Sequence, residues 1–534
     1  MTDAVVSAPA APAASTPIPW LGLTAVLLGT FISTLNGRLS TLGLADIRGA
    51  MHAGFDEGAW VTTALTMAQM MVAPVAVWMG MIYGPRRVLL GAALAFAAVS
   101  AITPFAPTLA ILLALQFLGG MASGFFVPLT LSFILRSVPP KYWAYGIAVY
   151  ALNLELSLNI SASLEGWYVD NLSWRWIFWQ NVPLAVGMAL CLHYGVARTP
   201  PAPNQPRADI FGLATAGLGL ALIYAALDQG NRLDWLNSGL ICGLLLAGAV
   251  FLVGFLVHEA RTEQPLIDLK VAFAAPLPQL LLLVAFLRLT ILSTAYLIPQ
   301  YLQTVRGFRA LEVGQTLVWI AAPQLIFCPL AAVMLRRTDA RLVSSIGFIF
   351  VAAACLMVAH GLTPLWSSDQ FLPSQLLQAV GQSFALSGVL FLAVLNLRPQ
   401  DALTFGAMVQ TARLMGGQIG SAFVVTLARV RSQTASNLIG LHIQAGDSAV
   451  QQRLAAYAAV TGRGSVDAAG GAARGASVLG SVVRSAASTQ GVIDGFVAVG
   501  ALTAVALLLL AVQRRAPLGP ASHTPLFASP EPTP

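Results

Sequence analysis

The sequence is a succession of apolar runs, each long enough to cross the hydrocarbon core of a bilayer, separated by short polar turns. Lipid offers no partner for backbone N–H and C=O groups, so such runs are stable only as helices of about 20 residues or as closed barrels. The runs here lack the two-residue alternation of barrel strands, and only 9% of the chain is charged, against about 25% in a soluble domain. The reading is an all-α polytopic membrane protein. Helices are expected at about 19–44, 58–82, 87–105, 107–136, 143–168, 176–196, 210–227, 238–258, 277–302, 311–335, 341–361, 370–396, 402–430 and 491–513, fourteen in all.

An even number of spans puts both termini on one side, and the lysine and arginine bias names it. Arg86, Arg87, Arg136, Lys141, Arg198, Arg207, Arg261, Lys270, Arg336, Arg337, Arg341, Arg398, Arg514 and Arg515 share one set of loops or the tail. The opposite short loops hold only Arg48, Arg175, Arg232, Arg306 and Arg309. Both termini are expected in the cytoplasm. The net charge of +7 is then a topology signal, and no nucleic-acid partner is expected. Cys191, Cys242, Cys328 and Cys355 stand alone in apolar helices without a CxxC, so no disulfide, metal or other cofactor is expected.

Two arginine pairs, in "YGPRRVLL" (Tyr83–Leu90) and "MLRRTDARLV" (Met334–Val343), lie about 250 residues apart, as equivalent loops of two repeats would. The expected organisation is a cytoplasmic tail (1–18), a six-helix bundle (19–196), a Pro-rich linker (197–209) and two inserted helices (210–258). A second six-helix bundle (277–513) follows, with a long periplasmic loop (432–489), then a tail (514–534).

Several stretches resemble the fourteen-helix drug:proton antiporters of the major facilitator superfamily, the EmrB/QacA type. They are "WRWIFWQNVP" (Trp174–Pro183), "LDQGNRLDWL" (Leu227–Leu236, matching the loop between the inserted helices), "EQPLIDL" (Glu263–Leu269), "PQYLQTVRGF" (Pro299–Phe308) and "RLMGGQIG" (Arg413–Gly420). The resemblance implies the major facilitator fold, two six-helix bundles plus two inserted helices. It also implies a place in the bacterial inner membrane, a small-molecule substrate and, for EmrB-like members with a long exterior segment, a periplasmic adaptor protein.

The departures from the family pattern fall on its coupling positions. Asn36 stands where the helix 1 acid belongs and Arg38 at the following threonine. The loop motif between helices 2 and 3 keeps Gly84, Arg86 and Arg87 as gating residues, while Val77, Met81 and Ile82 replace a glycine, the acid and the first arginine. Gln116 replaces the helix 4 arginine, and "SASLEG" (Ser161–Gly166) keeps one glycine of the helix 5 signature. Charges appear elsewhere: Glu155 and Glu165 in helix 5 and Arg288 midway in helix 9.

Charges inside the membrane are rare and face a cavity or a partner. Arg38, at a depth between the two glutamates, is expected to be neutralised by a helix 5 carboxylate, either as a lock between helices 1 and 5 or as a relocated coupling or substrate site. Glu165 reads equally as a solvated rim residue. Arg288 is expected to line a water-filled cavity, and Arg413 to brace helix packing. With no catalytic residue pattern, an enzyme is not expected. Three functions remain: a secondary transporter exporting amphipathic organic compounds, with or without proton coupling; a proton-independent facilitator or exchanger of an anionic solute; and a non-transporting scaffold or sensor. In the exterior segment, "SAVQQRLAAYAAV" (Ser448–Val460) sets Val450, Leu454 and Tyr457 at helical spacing.

Overall fold

The computed structural model describes residues 19–196, 209–262, 277–396, 402–443, 447–461 and 468–513. Both predicted tails, most of the linker and the "EQPLIDL" stretch lie outside the described residues. Among those described there is no β-strand. The helices are α1 (Trp20–Leu42), α2 (Trp60–Ile82), α3 (Pro85–Ile102), α4 (Leu109–Ser137, interrupted at Gly124), α5 (Trp143–Asn171) and α6 (Asn181–Gly195). Then come α7 (Ile210–Gly230), α8 (Gly239–Arg261), α9 (Leu277–Thr304), α10 (Ala310–Arg337), α11 (Ala340–Gly361) and α12 (Ser368–Leu395). The chain ends in α13 (Ala402–Leu441), α14 (Ser448–Thr461) and α15 (Ala468–Val512).

Twelve helical segments among the described residues are long and apolar enough to cross a membrane. Two that the sequence reading counted fall short of that standard. α6 has fifteen residues, and in α13 Gln410, Arg413 and Gln418 dilute the apolar stretch.

Helix starts are written in the sequence. The Thr108 side chain accepts from the Ile111 amide at the head of α4, and Asp209 accepts from the Gly212 amide (2.9 Å) at the head of α7, as N-cap residues do. Gly84, at φ +79°, makes the tight turn from α2 into α3, a backbone region that only glycine enters without steric penalty.

α5 and α10 pack along their whole length. A Cβ on Gly166 would overlap the Leu311 backbone, and one on Gly314 the Ser163 backbone, so small residues set the approach of the two helices. α1 packs on α5 and α6, and α2 on α4. α7 packs against α8, α2 and α13, and α8 rides outside it, turning Leu246, Val250 and Val253 outward.

The end of the bundle where α1 begins, here called basal, is sealed. Val127, Leu131 and Ile134 of α4 share one apolar cluster with Leu280 and Leu283 of α9, Leu390 to Leu395 of α12, and Phe405 and Val409 of α13. Arg86 is buried at this end and donates to the last carbonyls of α6, Leu192 (3.3 Å) and His193 (2.9 Å), as a basic residue at a helix C-terminus should. Arg87 is exposed.

Two stretches expected as loops are helical in part, and the helical spacing over Ser448–Val460 is realised as α14. The "LDQGNRLDWL" stretch belongs to α7 as far as Gly230. Within 432–489, α13 runs on to Leu441 and α15 begins at Ala468, with α14 packed against α15. Alanine, abundant there, is the strongest helix former, and its low hydropathy hid the helices from a search for membrane spans.

Candidate functional site

Toward the opposite, distal end the bundle encloses a cavity of about 250 Å³. Five helices supply its polar wall: α1 with Ser33, Thr34 and Arg38, α2 with Thr62, Thr66 and Gln69, α7 with Tyr224 and Asp228, α9 with Arg288, and α13 with Arg413 and Gln418. Leu158 of α5, Ile291 and Leu292 of α9 and Leu414 of α13 supply apolar wall.

Three of the residues singled out from sequence therefore surround one space. The Arg38 Nη2 group donates to the Ala295 carbonyl (3.0 Å), across from α1 to α9, and its Nε–H has no partner. Ala295 lies in the π-helical turn Ser293–Leu297 that interrupts α9, which tips that carbonyl out of the regular ladder. Arg413 is buried and donates twice to Gln410 Oε1, from Nε (3.1 Å) and Nη2 (2.8 Å). Arg288 makes no hydrogen bond among the described residues, and its Nε is buried. Gly417 on the facing helix leaves it room: a Cβ there would stand 3.9 Å from Arg288 Nε.

The expected neutralisation of Arg38 by helix 5 is not present. Among the described residues the ion pairs are Arg232–Asp56, His258–Asp209, Arg309–Asp170 and Arg431–Asp494. Arg38 reaches across to α9 because a residue at its turn of α1 faces the central space and not α5. Glu155 is fully buried and neither of its oxygens is hydrogen-bonded; the positive charges acting on it are those of Arg288 and Arg413. Glu165 is 1% exposed, which overturns its reading as a solvated rim residue. It is covered by the short helix Leu44–Ala50 after α1, where Asp46 is its neighbour.

The two neutral replacements face away from the cavity. Asn36 is buried and accepts from Asn181 Nδ2 of α6 (2.8 Å), and Gln116 donates to Ser40 of α1 (3.4 Å). Both tie helices of the first bundle together.

The residue that sequence reasoning missed is Asp228. It receives hydrogen bonds from Thr63 of α2, Gln418 of α13 (3.0 Å) and Gln229 (3.4 Å), and it is the cavity's single carboxylate. Its signal was a lone acid following an apolar helix, hidden by assigning it to a loop.

A sequence profile of the major facilitator superfamily matches residues 26–421. The chain belongs to that superfamily. Among this chain's relatives, the probable multidrug resistance protein EmrY of Escherichia coli (strain K12) is 26% identical over 433 residues, 77% of this chain and 82% of that protein. The fatty acid resistance protein FarB of Neisseria gonorrhoeae is 23% identical over 408 residues, 75% of this chain and 79% of that protein. The proton:xylose symporter XylE superposes with a TM-score of 0.61 at 10% identity, covering 95% of this chain and 98% of that one; this likeness is one of fold. The chain is thus a multi-pass membrane transporter, related to bacterial proteins of multidrug and fatty acid resistance.

Proposed function

We propose that this protein is a secondary active exporter that moves amphipathic organic compounds out of the cell by alternating access, with fourteen spans and both termini cytoplasmic. The observation that carries the reading is the central cavity, polar and apolar in its wall, built from α1, α2 and α5 on one side and α9 and α13 on the other, and closed at the basal end by a continuous apolar cluster. A site shared between two groups of helices and open toward one end is what rocking of one bundle against the other requires. The EmrY and FarB relatives support an organic substrate of mixed polarity.

Proton coupling, where the helix 1 position holds Asn36, falls to Glu155. It is a buried carboxyl with no hydrogen-bond partner, next to the arginines of the cavity. The test is uptake of a panel of neutral, cationic and anionic dyes into everted membrane vesicles from cells expressing the chain. Dye accumulation driven by respiration and collapsed by a protonophore supports proton-coupled export. Accumulation that a protonophore leaves intact removes proton coupling, and no accumulation of any dye rejects the exporter reading.

A further inference from the structure

We propose that the substrate is an organic anion, whose acidic head is held by Arg38, Arg288 and Arg413 and whose apolar body lies along Leu158, Ile291, Leu292 and Leu414. The inference rests on the exporter reading and names its substrate class.

The charge count of the cavity wall is the first support. Three arginines face one carboxylate, and that carboxylate is already engaged. Asp228 accepts from Thr63, Gln418 and Gln229, which leaves it few lone pairs for a cationic ligand. It also lies on α7, while the arginines project from α1, α9 and α13. Glu155 is the carboxyl whose charge reaches Arg288 and Arg413, but it is fully buried, makes no ion pair and does not line the cavity.

The second support is unspent hydrogen-bonding capacity. A guanidinium has five N–H donors. Arg38 uses one on the Ala295 carbonyl, Arg413 spends two on Gln410, and Arg288 spends none within the described residues. Like charges brought together in a low-dielectric space repel, and a pair of forks aimed at one void suits the two oxygens of a carboxylate or sulfonate. The same array repels a cation before it reaches the apolar wall, so the site selects by charge as well as by shape.

The cavity's size sets the scale of the ligand. At about 250 Å³ it lies just under the usual range for drug-sized sites, about 300–1,000 Å³, which suits a compact aromatic or short-chain acid.

The experiment is counterflow in proteoliposomes of the full chain with two permanently charged probes of matched size, radiolabelled 2-naphthalenesulfonate and radiolabelled trimethyl(2-naphthyl)ammonium. The dye panel of the preceding section is run alongside, in everted membrane vesicles. Naphthalenesulfonate is expected to exchange well above protein-free vesicles and the naphthylammonium cation is not. Arg288→Gln should lower anion exchange at least about tenfold, and Arg288→Lys, which keeps the charge but loses the fork, by less. Arg431→Gln removes an equal charge far from the cavity and should leave exchange unchanged. Exchange of the cation without the anion overturns the anion site and leaves the exporter reading standing. Failure of both probes and of every dye rejects both. Should Arg288→Gln not yield folded protein, the parent chain's preference between the two probes decides the matter alone.

Discussion

Gln418 of α13 donates a 3.0 Å hydrogen bond to the Asp228 carboxylate of α7, and Thr63 of α2 donates to the same carboxylate from the other side. One partly buried acid on α7 thus ties α2 to α13. The attachment continues outward, where Thr426 donates to Asn231 Oδ1 (3.3 Å) and Arg429 to the Asn231 carbonyl (3.3 Å). α7 is therefore part of the wall between the two groups of helices, not a peripheral addition.

Asp228→Asn follows directly from this. An asparagine turns an N–H group toward one of the present donors, so one hydrogen bond is lost and the remainder are no longer charge-assisted. Hydrogen bonds to charged groups contribute about 1.5–3 kcal/mol, and a fall in the melting temperature of the detergent-purified protein is expected, with Gln418→Ala falling less. Equal melting of parent and Asp228→Asn would show that this bridge contributes nothing.

The arrangement around Arg38 makes a second prediction. Because no carboxylate pairs with it and its hydrogen bond goes to the Ala295 carbonyl, Arg38→Met should not rescue Glu155→Gln. Stability losses of the two variants should add within about 0.5 kcal/mol, as for residues without direct contact. Thermal unfolding of the two single variants and the double variant checks this; a coupling above about 1 kcal/mol would mean that a pair forms after all. Should Glu155 carry the transported proton, Glu155→Gln would keep substrate counterflow and lose accumulation driven by a pH gradient, a separation that a purely structural role for Glu155 would not produce.

The α5–α10 contact supplies a third. A Cβ at Gly314 runs into the Ser163 backbone, and backbone cannot turn aside as a flexible side chain does. Gly314→Ala should therefore push the two helices apart at a cost of about 1–3 kcal/mol. Gly187→Ala in α6, where a Cβ meets nothing within 4 Å, should be neutral or stabilising by comparison. Indistinguishable melting temperatures for the two variants would mean that close approach does not govern this interface.

How the sequence does and does not show this site can be followed residue by residue. Arg38 and Arg288 stand out on sequence because a charge at the centre of a span costs about 2.5–3.5 kcal/mol on insertion scales, and a chain retains few such residues. What no single helix reveals is which neighbour it faces, so Arg38 was assigned to a carboxylate of α5 when it points to the interrupted turn of α9. Asp228 escaped for another reason: a family resemblance placed it in a loop, and its role depends on Thr63 and Gln418, which lie 165 and 190 residues away in the chain. Among the elements, the strongly apolar spans were plain from hydropathy. The extensions of α13 and α15 were not, since alanine, serine and glycine carry helix propensity without the apolar mark of a span.

Those extensions frame the last prediction. The segment 432–489 holds the end of α13, α14 and the start of α15; at its base Gly491 of α15 is set close against the Ala428 carbonyl of α13 and Arg431 is paired with Asp494 at 2.5 Å. α14 packs along α15, so the hairpin is braced by its own side chains and stands clear of the central cavity. A periplasmic adaptor of the kind implied for EmrB-like members, proposed here as its partner, would find a formed helical surface. Removing Val450 to Val483 should leave membrane insertion and proteoliposome transport intact, because no cavity residue lies within it, while whole-cell resistance falls. Both assays are to be run side by side on the same variant. Equal loss in the two would place the hairpin in the transport core and reject the adaptor, whereas full activity in both would show that the hairpin needs no partner.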